Sequence, residues 1–291
     1  MKTLKHFLLP FAVFGCVVGL ALSASAQLPA TRLSTLVPPG GKAGSTVELS
    51  LTGVDLEAAT QIYVSNPGIT AKPKLNAAGQ PEANQFTIAI APNVPPGVYE
   101  ARVAGRFGIS NSRAFVVGDL AEVNEKAPNN TVATAMEIAL GTVVNGTSAA
   151  NAVDYYKFTA KKGQRVLVDC QTKSIDSRMD AVVVLNDAEG NEFERSRRGG
   201  LLDFTAPADG AYFLKVHDFT FKGGGEHFYR LTVKTGPHID FIFPPSGLAG
   251  TKSKYTLYGR NLPGGTPVKG LMVEGKQVEQ LVVDIELPGD P

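Results

Sequence analysis

The chain has 291 residues, with 28 Lys+Arg against 27 Asp+Glu, 19% charged and 43% hydrophobic residues. That balance argues against disorder driven by charge excess and against a nucleic-acid-binding surface, so no nucleic-acid partner is expected. With 31 Gly and 19 Pro, the composition suits many short strands joined by tight turns, and an all-β fold is the leading expectation.

Lys2 and Lys5 precede an apolar run from Phe7 to Leu22, and Ala24-Ser25-Ala26 follows it. This order predicts a cleaved signal peptide over 1–26 and an exported mature chain starting at Gln27. The run is too short for a membrane span and is interrupted by Pro10, so no transmembrane segment is expected in the mature chain. Removal of Cys16 leaves Cys170 as the sole mature cysteine. It sits in an alternating stretch and reads as a small buried residue rather than a catalytic thiol.

The chain then repeats itself. Residues 38–56 align without a gap with residues 244–262, Pro38 on Pro244, an offset of 206. In both copies prolines precede a glycine turn (Gly41 and Gly44; Gly247 and Gly250). An alternating strand follows (Leu49 and Leu51; Tyr255 and Leu257) and ends at Gly53 or Gly259, before Asp55 or Asn261. The pattern resembles the opening of the IPT/TIG family of immunoglobulin-like sandwiches. In the first copy, 27–118, the strands Gln85 to Ile90, Val98 to Val103 and Ser112 to Val117 complete it. The second copy, 236–291, stops at Pro288-x-x-Pro291, which echoes Pro92-x-x-Pro95. This copy is expected to be an incomplete sandwich and the chain a fragment or truncated gene product.

Between the copies, the polar stretch Glu122 to Thr131 reads as a linker opening a middle module, 119–235. Strands are predicted at Asp154–Phe158, Arg165–Cys170, Ala181–Leu185, Leu201–Phe204, Tyr212–Val216 and Phe228–Val233, with Gly-rich turns between them. The ordered pieces Pro128-Asn129-Asn130-Thr131, a Gly-Thr-x-x-x-Gly turn from Gly141 to Gly146, Asp154-Tyr155-Tyr156-x-Phe158, Lys162-Gly163-Gln164, Met179-Asp180, Asp187 to Gly190, Phe204 to Tyr212 and Tyr229-Arg230-Leu231 resemble the bacterial pre-peptidase C-terminal domain. That resemblance implies a jelly-roll-like sandwich acting as a non-catalytic accessory of secreted peptidases or surface proteins. It further implies a calcium site, as in collagen-binding relatives, with Glu125, Asn129 and Asn130 of the linker and Asp154 as ligands. Ala127 and Ala152 stand where such relatives commonly place two more carboxylates, which lowers the expected affinity.

Gly247 to Ser253 has two residues too few between its glycines for a phosphate loop, and it precedes a strand. His217-Asp218 and Glu226-His227 flank a loop and are weighed as a zinc pair against a polar hairpin mouth. No Gly-x-Ser-x-Gly elbow occurs. The adjacent aromatics Tyr155-Tyr156, Tyr212-Phe213 and Phe228-Tyr229 are each expected to place one ring inward and one outward. Arg195 to Arg198 reads as a solvated loop.

These observations give tandem β-sandwiches after a signal peptide: immunoglobulin-like, jelly-roll-like and incomplete immunoglobulin-like. The expected role is non-enzymatic adhesion, scaffolding or binding, secreted to the periplasm, cell surface or exterior, with a protein or polysaccharide surface ligand. The alternative is the N-terminal accessory region of a larger secreted peptidase or other hydrolase.

Overall fold

The computed structural model describes residues 28–197 and 199–289. The expected signal peptide and Arg198 lie outside the described residues.

The first module has nine strands: Arg32–Val37 (β1), Gly40–Lys42 (β2), Thr46–Val54 (β3), Gln61–Val64 (β4), Ile69–Leu75 (β5), Pro81–Ile90 (β6), Gly97–Gly105 (β7), Gly108–Ile109 (β8) and Arg113–Gly118 (β9). They form two sheets, β1-β3-β6-β5 and β2-β9-β7-β4, with β8 paired to β7. Alternation sends Leu49 and Leu51 of β3 and Phe86, Ile88 and Ile90 of β6 into the core, against Ala101 and Val103 of β7 and Phe115 and Val117 of β9.

The middle module has ten: Ala121–Asn124 (β10), Met136–Glu137 (β11), Thr142–Thr147 (β12), Asp154–Ala160 (β13), Arg165–Gln171 (β14), Ala181–Asn186 (β15), Glu192–Arg197 (β16), Leu202–Thr205 (β17), Gly210–Asp218 (β18) and Phe228–Lys234 (β19). Its sheets run β10-β12-β19-β14-β17 and β11-β13-β18-β15-β16. Between them Val166, Val168, Val183, Leu185, Leu214, Leu231 and Val233 form one apolar cluster that also holds Cys170, 1% exposed, whose thiol burial pushes well up. The fold is all-β, in tandem sandwiches.

The third module contributes His238–Phe243 (β20), Lys252–Arg260 (β21), Thr266–Val273 (β22) and Lys276–Glu286 (β23), in the order β20-β21-β23-β22. The repeat seen in sequence extends to backbone detail. Val37-Pro38 and Phe243-Pro244 are both cis, Asp55 and Asn261 both adopt positive φ, and β1 and β20 carry their irregularity at matching places. Gly53 and Gly259 meet the same demand. A Cβ on Gly53 would lie 2.1 Å from the Arg32 carbonyl oxygen, and one on Gly259 would lie 2.0 Å from that of His238.

Four readings need correction. The first part of the supposed linker is strand β10, which pairs in parallel with β12. The Gly141 to Gly146 stretch, read as a turn, holds β12, and Arg195 to Arg197 lie in β16, antiparallel to β15. Of the aromatic pairs only Tyr155-Tyr156 divides as expected, with Tyr156 buried and Tyr155 half-buried. Phe213 is buried beside Tyr212, and Phe228 is buried because Val116 of the first module and Ile175 cover the outer side of its sheet.

Candidate functional site

The linker carboxylate Glu125 follows β10, and its backbone N–H donates to the Asn145 carbonyl at 2.9 Å, which fixes it at the mouth of the middle sandwich. There Tyr156 of β13 and Tyr229 of β19, one from each sheet, meet edge to face with ring centroids 6.5 Å apart. Gly146 admits this meeting: a Cβ there would lie 2.6 Å from the Tyr229 hydroxyl oxygen.

Glu125 Oε1 accepts from Asn129 Nδ2 at 2.7 Å and from the Tyr156 hydroxyl at 2.9 Å, and Oε2 accepts from the Thr147 N–H at 3.0 Å. The Tyr229 hydroxyl donates to Asp154 Oδ2 at 2.8 Å, and the two hydroxyl oxygens stand 2.6 Å apart. Two phenolic protons cannot fill all three links. A third proton, on Asp154, reverses that link so that the carboxyl donates to Tyr229, and the chain Asp154 to Tyr229 to Tyr156 to Glu125 then has a donor at every step. Burial first, and then the Glu125 charge, push the Asp154 carboxyl up to about 6, so it takes up such a proton as pH falls through that value. Burial and the neighbouring acidic groups also hold both phenols well above their ordinary range.

Of the four residues expected to bind calcium, Glu125, Asn129 and Asp154 meet in this cluster, whereas Asn130 is exposed and takes no part in its hydrogen bonds. The donor set is a poor fit to the ion. Both Glu125 oxygens already accept from protein groups, Asn129 presents its N–H₂ rather than its oxygen, and calcium requires six to eight oxygen ligands. As arranged, the cluster clasps the linker to the sandwich. Beside it a cleft of about 390 Å³ lies between the first and middle modules, lined by Glu48, Ser50 and Gln85 on one side and Asn124, Asn145 and Thr147 on the other.

The zinc reading fares differently. The His217 ring stacks on Phe221 at 4.5 Å, and its Nδ1 lies 2.8 Å from the Asp218 carbonyl. Asp218 accepts from the N–H groups of Asp180, Thr220 and Lys222 and from the Thr220 hydroxyl. Burial opposes its charged form, but these donors outweigh that and hold the carboxyl down to about 2. Asp218 therefore fastens a loop. Among the described residues no three His, Cys, Asp or Glu side chains gather as a metal site. Gly250 adopts φ +70° in the turn into β21, and the Thr251 hydroxyl donates to the Leu248 carbonyl, so Gly247 to Ser253 is a turn.

Sequence reasoning missed the charged groups that join the modules. Arg230 of β19, 2% exposed, pairs two-pronged with Glu122 of β10 at 2.6 and 3.0 Å. The first-module backbone comes so close that a Cβ on Gly40 would lie 2.1 Å from the guanidinium. The Ala114 N–H donates to Asp176 at 2.8 Å, and Val116, Ile175 and Phe228 form an apolar plug beside it. At the other junction Arg165 of β14 grips Asp203 at 2.6 and 2.7 Å and reaches Glu279 of the third module at 2.5 Å. Arg260 of β21, fully buried, lies 3.5 Å from Asp203 and 3.3 Å from Asp240. Burial works against the Asp203 charge, but the Arg165 hydrogen bonds and the charges of Arg165, Arg260 and Lys276 prevail and lower its pKa. Glu274 accepts the Leu201 N–H at 3.0 Å, and Lys276 donates to the Asp203 carbonyl at 3.1 Å.

With the fold in hand, the chain can be set beside known proteins. The sequence model of the bacterial pre-peptidase C-terminal domain matches residues 152–218. Among solved structures, the pre-peptidase C-terminal domain of a Bacillus anthracis collagenase aligns with 21% identity over 38% of this chain and 100% of its own, at a TM-score of 0.30. SGBP-B of a Bacteroides ovatus mixed-linkage glucan utilization locus, solved with a heptasaccharide, aligns with 12% identity over 72% of this chain and 75% of its own, at 0.24. The secreted serine protease VesC of Vibrio cholerae aligns with 11% identity over 72% of this chain, which spans 50% of VesC, at 0.24. No curated protein matches the chain in sequence.

Proposed function

We propose that the chain is an exported, non-catalytic segment that holds binding faces at fixed spacing on a cell surface or outside the cell, for adhesion or scaffolding. The observation that carries this reading is that both module junctions are closed by buried or half-buried contacts: the Val116–Ile175–Phe228 plug and the Ala114–Asp176 hydrogen bond on one side, and the ion pairs Arg260–Asp203 and Arg165–Glu279 on the other. Ordinary linkers between domains leave relative motion free; apolar contacts and desolvated ion pairs across a junction oppose it. The flanking repeats are proposed to be of the IPT/TIG type, and export follows from the N-terminal sequence. The ligand class is a protein or polysaccharide surface.

The test is co-sedimentation of the chain with insoluble polysaccharides and matrix proteins. Binding without release of soluble fragments is expected, and release of fragments contradicts the non-catalytic reading. The match at 152–218 also favours a second reading, an accessory region of a larger secreted hydrolase. Reading the gene past the codon for Pro291 distinguishes the two: a downstream catalytic motif favours the second, further sandwiches the first.

A further inference from the structure

The middle module turns one of its two sheets to solvent. The first module packs on Phe228 and Arg230 of β19, and the third on Arg165 of β14 and Asp203 of β17, all in the sheet β10-β12-β19-β14-β17. The other sheet, β11-β13-β18-β15-β16, sends Tyr156, Val183, Leu185 and Leu214 inward. Alternation and register therefore send Tyr155, Lys157, Lys215, His217, Arg195 and Arg197 outward.

These groups stand in rows. Tyr155, Lys215, Val184 and Arg195 lie side by side across four strands, and His217, Val182 and Arg197 across three. Val182, Val184 and Phe213 are at most 6% exposed although they point away from the core cluster, because the long stems of the neighbouring cations roof them. Lys215 Nζ stands 5.9 Å from the centre of the Tyr155 ring, and the His217 ring stacks on Phe221, which stays 43% exposed. Charge on the face is unbalanced. Four Lys and Arg side chains meet two carboxylates: Glu137, 4.0 Å from Lys157, and Glu192, which Arg195 holds two-pronged at 2.6 and 3.0 Å. The Arg195 hydrogen bonds, with the charges of Arg195, Lys215 and Arg197, hold the Glu192 carboxyl below the usual range. Three cations thus converge on a single carboxylate of the chain.

Resting on the binding role put forward above, we propose that this face binds an acidic polysaccharide, one whose sugar rings carry carboxylates at regular intervals. Arg195 and Arg197 take a carboxylate in the two-pronged way that Glu192 already displays. Arg195 and Lys215 stand two strands apart, at ~10 Å, about the length of a disaccharide, so carboxylates on alternate sugars reach both. The open ring of Phe221, at the end of the same face, receives the apolar side of a sugar ring. With its apolar floor roofed over, the face offers charge and ring edges rather than the open apolar pockets that anchor protein interfaces.

Affinity electrophoresis of the purified chain in gels containing polygalacturonate, alginate or hyaluronan tests this, with dextran as a neutral polymer and polyglutamate as an acidic polypeptide. The acidic polysaccharides retard wild type, and dextran and polyglutamate do so at least about tenfold less strongly. Arg197→Glu and Lys215→Glu each weaken retention by at least about fivefold, whereas Lys72→Glu, the same change of charge at an exposed site of the first module, leaves it unaltered. Glu192→Gln frees Arg195 and tightens retention about threefold, a gain that stands even should Lys215→Glu fail to fold. The proposal is overturned by a wild type that none of the three acidic polysaccharides retards, by equal or stronger retention on polyglutamate or dextran, by a Lys72→Glu loss as large as that of the face variants, or by a Glu192→Gln that weakens retention. Binding to a neutral polysaccharide or a matrix protein that Arg197→Glu leaves intact overturns this proposal alone, whereas release of fragments contradicts the wider reading as well.

Discussion

The two junctions of the molecule are held by different physics. Between the first and middle modules, an apolar plug of Val116, Ile175 and Phe228 packs beside a deeply buried pair internal to the middle module, Arg230 and Glu122, whose side chains are 3% and 10% exposed and against which the Gly40 backbone lies. Between the middle and third modules the attachment is a network of arginines, lysine and carboxylates, and its outer members, Lys276 and Glu194, are 42% and 19% exposed. A plug with one desolvated pair resists salt and fails when a single group is removed. A distributed network loses less from any one deletion but is more open to screening.

The largest expected effect breaks the first junction. Arg230→Ala leaves Glu122 in a nearly closed site without its partner and costs about 3–5 kcal/mol, read as a lowered urea midpoint. Phe228→Ala removes the ring of the plug and costs a similar amount, about 3–5 kcal/mol. Arg260→Ala in the second junction costs less, because Arg165 still holds Asp203. Its signature is faster hydrogen exchange in β20 to β23, with β1 to β9 unaffected. Salt sharpens the contrast further. Raising ionic strength to about 1 M, where the Debye length is about 3 Å, speeds exchange around Lys276 and leaves Arg230's surroundings unchanged.

The smallest effect is the pH response of the linker clasp. The folded pKa of Asp154 is raised to about 6, so the native state binds the extra proton. Its contribution is greatest below the ordinary carboxylate range and declines as pH rises from about 4 to about 6. Asp154→Asn therefore flattens the fall of Tm across that window, and an unchanged slope contradicts the clasp. Because Glu125 is already occupied by protein donors, chelator is expected to leave the middle module's Tm unchanged; a drop would restore the calcium reading.

The strands that build the sandwiches were legible because alternation and burial agree: Arg165–Gln171 and Ala181–Asn186 fall within a residue of the predicted runs. Thr142–Thr147 was misread because its glycines signal a turn. Tertiary structure uses them otherwise, Gly146 being small because the Tyr229 hydroxyl occupies the space of a side chain. Glu192–Arg197 was misread because a charged edge strand has the composition of a loop. The candidate site was partly legible. Glu125, Asn129 and Asp154 were picked out and do converge, but Tyr156 and Tyr229 were weighed as packing aromatics or as a binding face, not as members of this cluster. The junction pairs left no local trace, since Arg165 and Glu279 are 114 residues apart in sequence.

The central claim is that the modules are fixed to one another, and a distance measurement tests it most directly. Spin labels at Leu75→Cys in the first module and Met272→Cys in the third replace exposed side chains, while the native Cys170 is too buried to react. Pulsed electron–electron resonance is expected to give a single narrow distance distribution that broadens when Arg230→Ala or Arg260→Ala is added. A distribution already broad in the otherwise unaltered chain, and insensitive to both substitutions, contradicts the account.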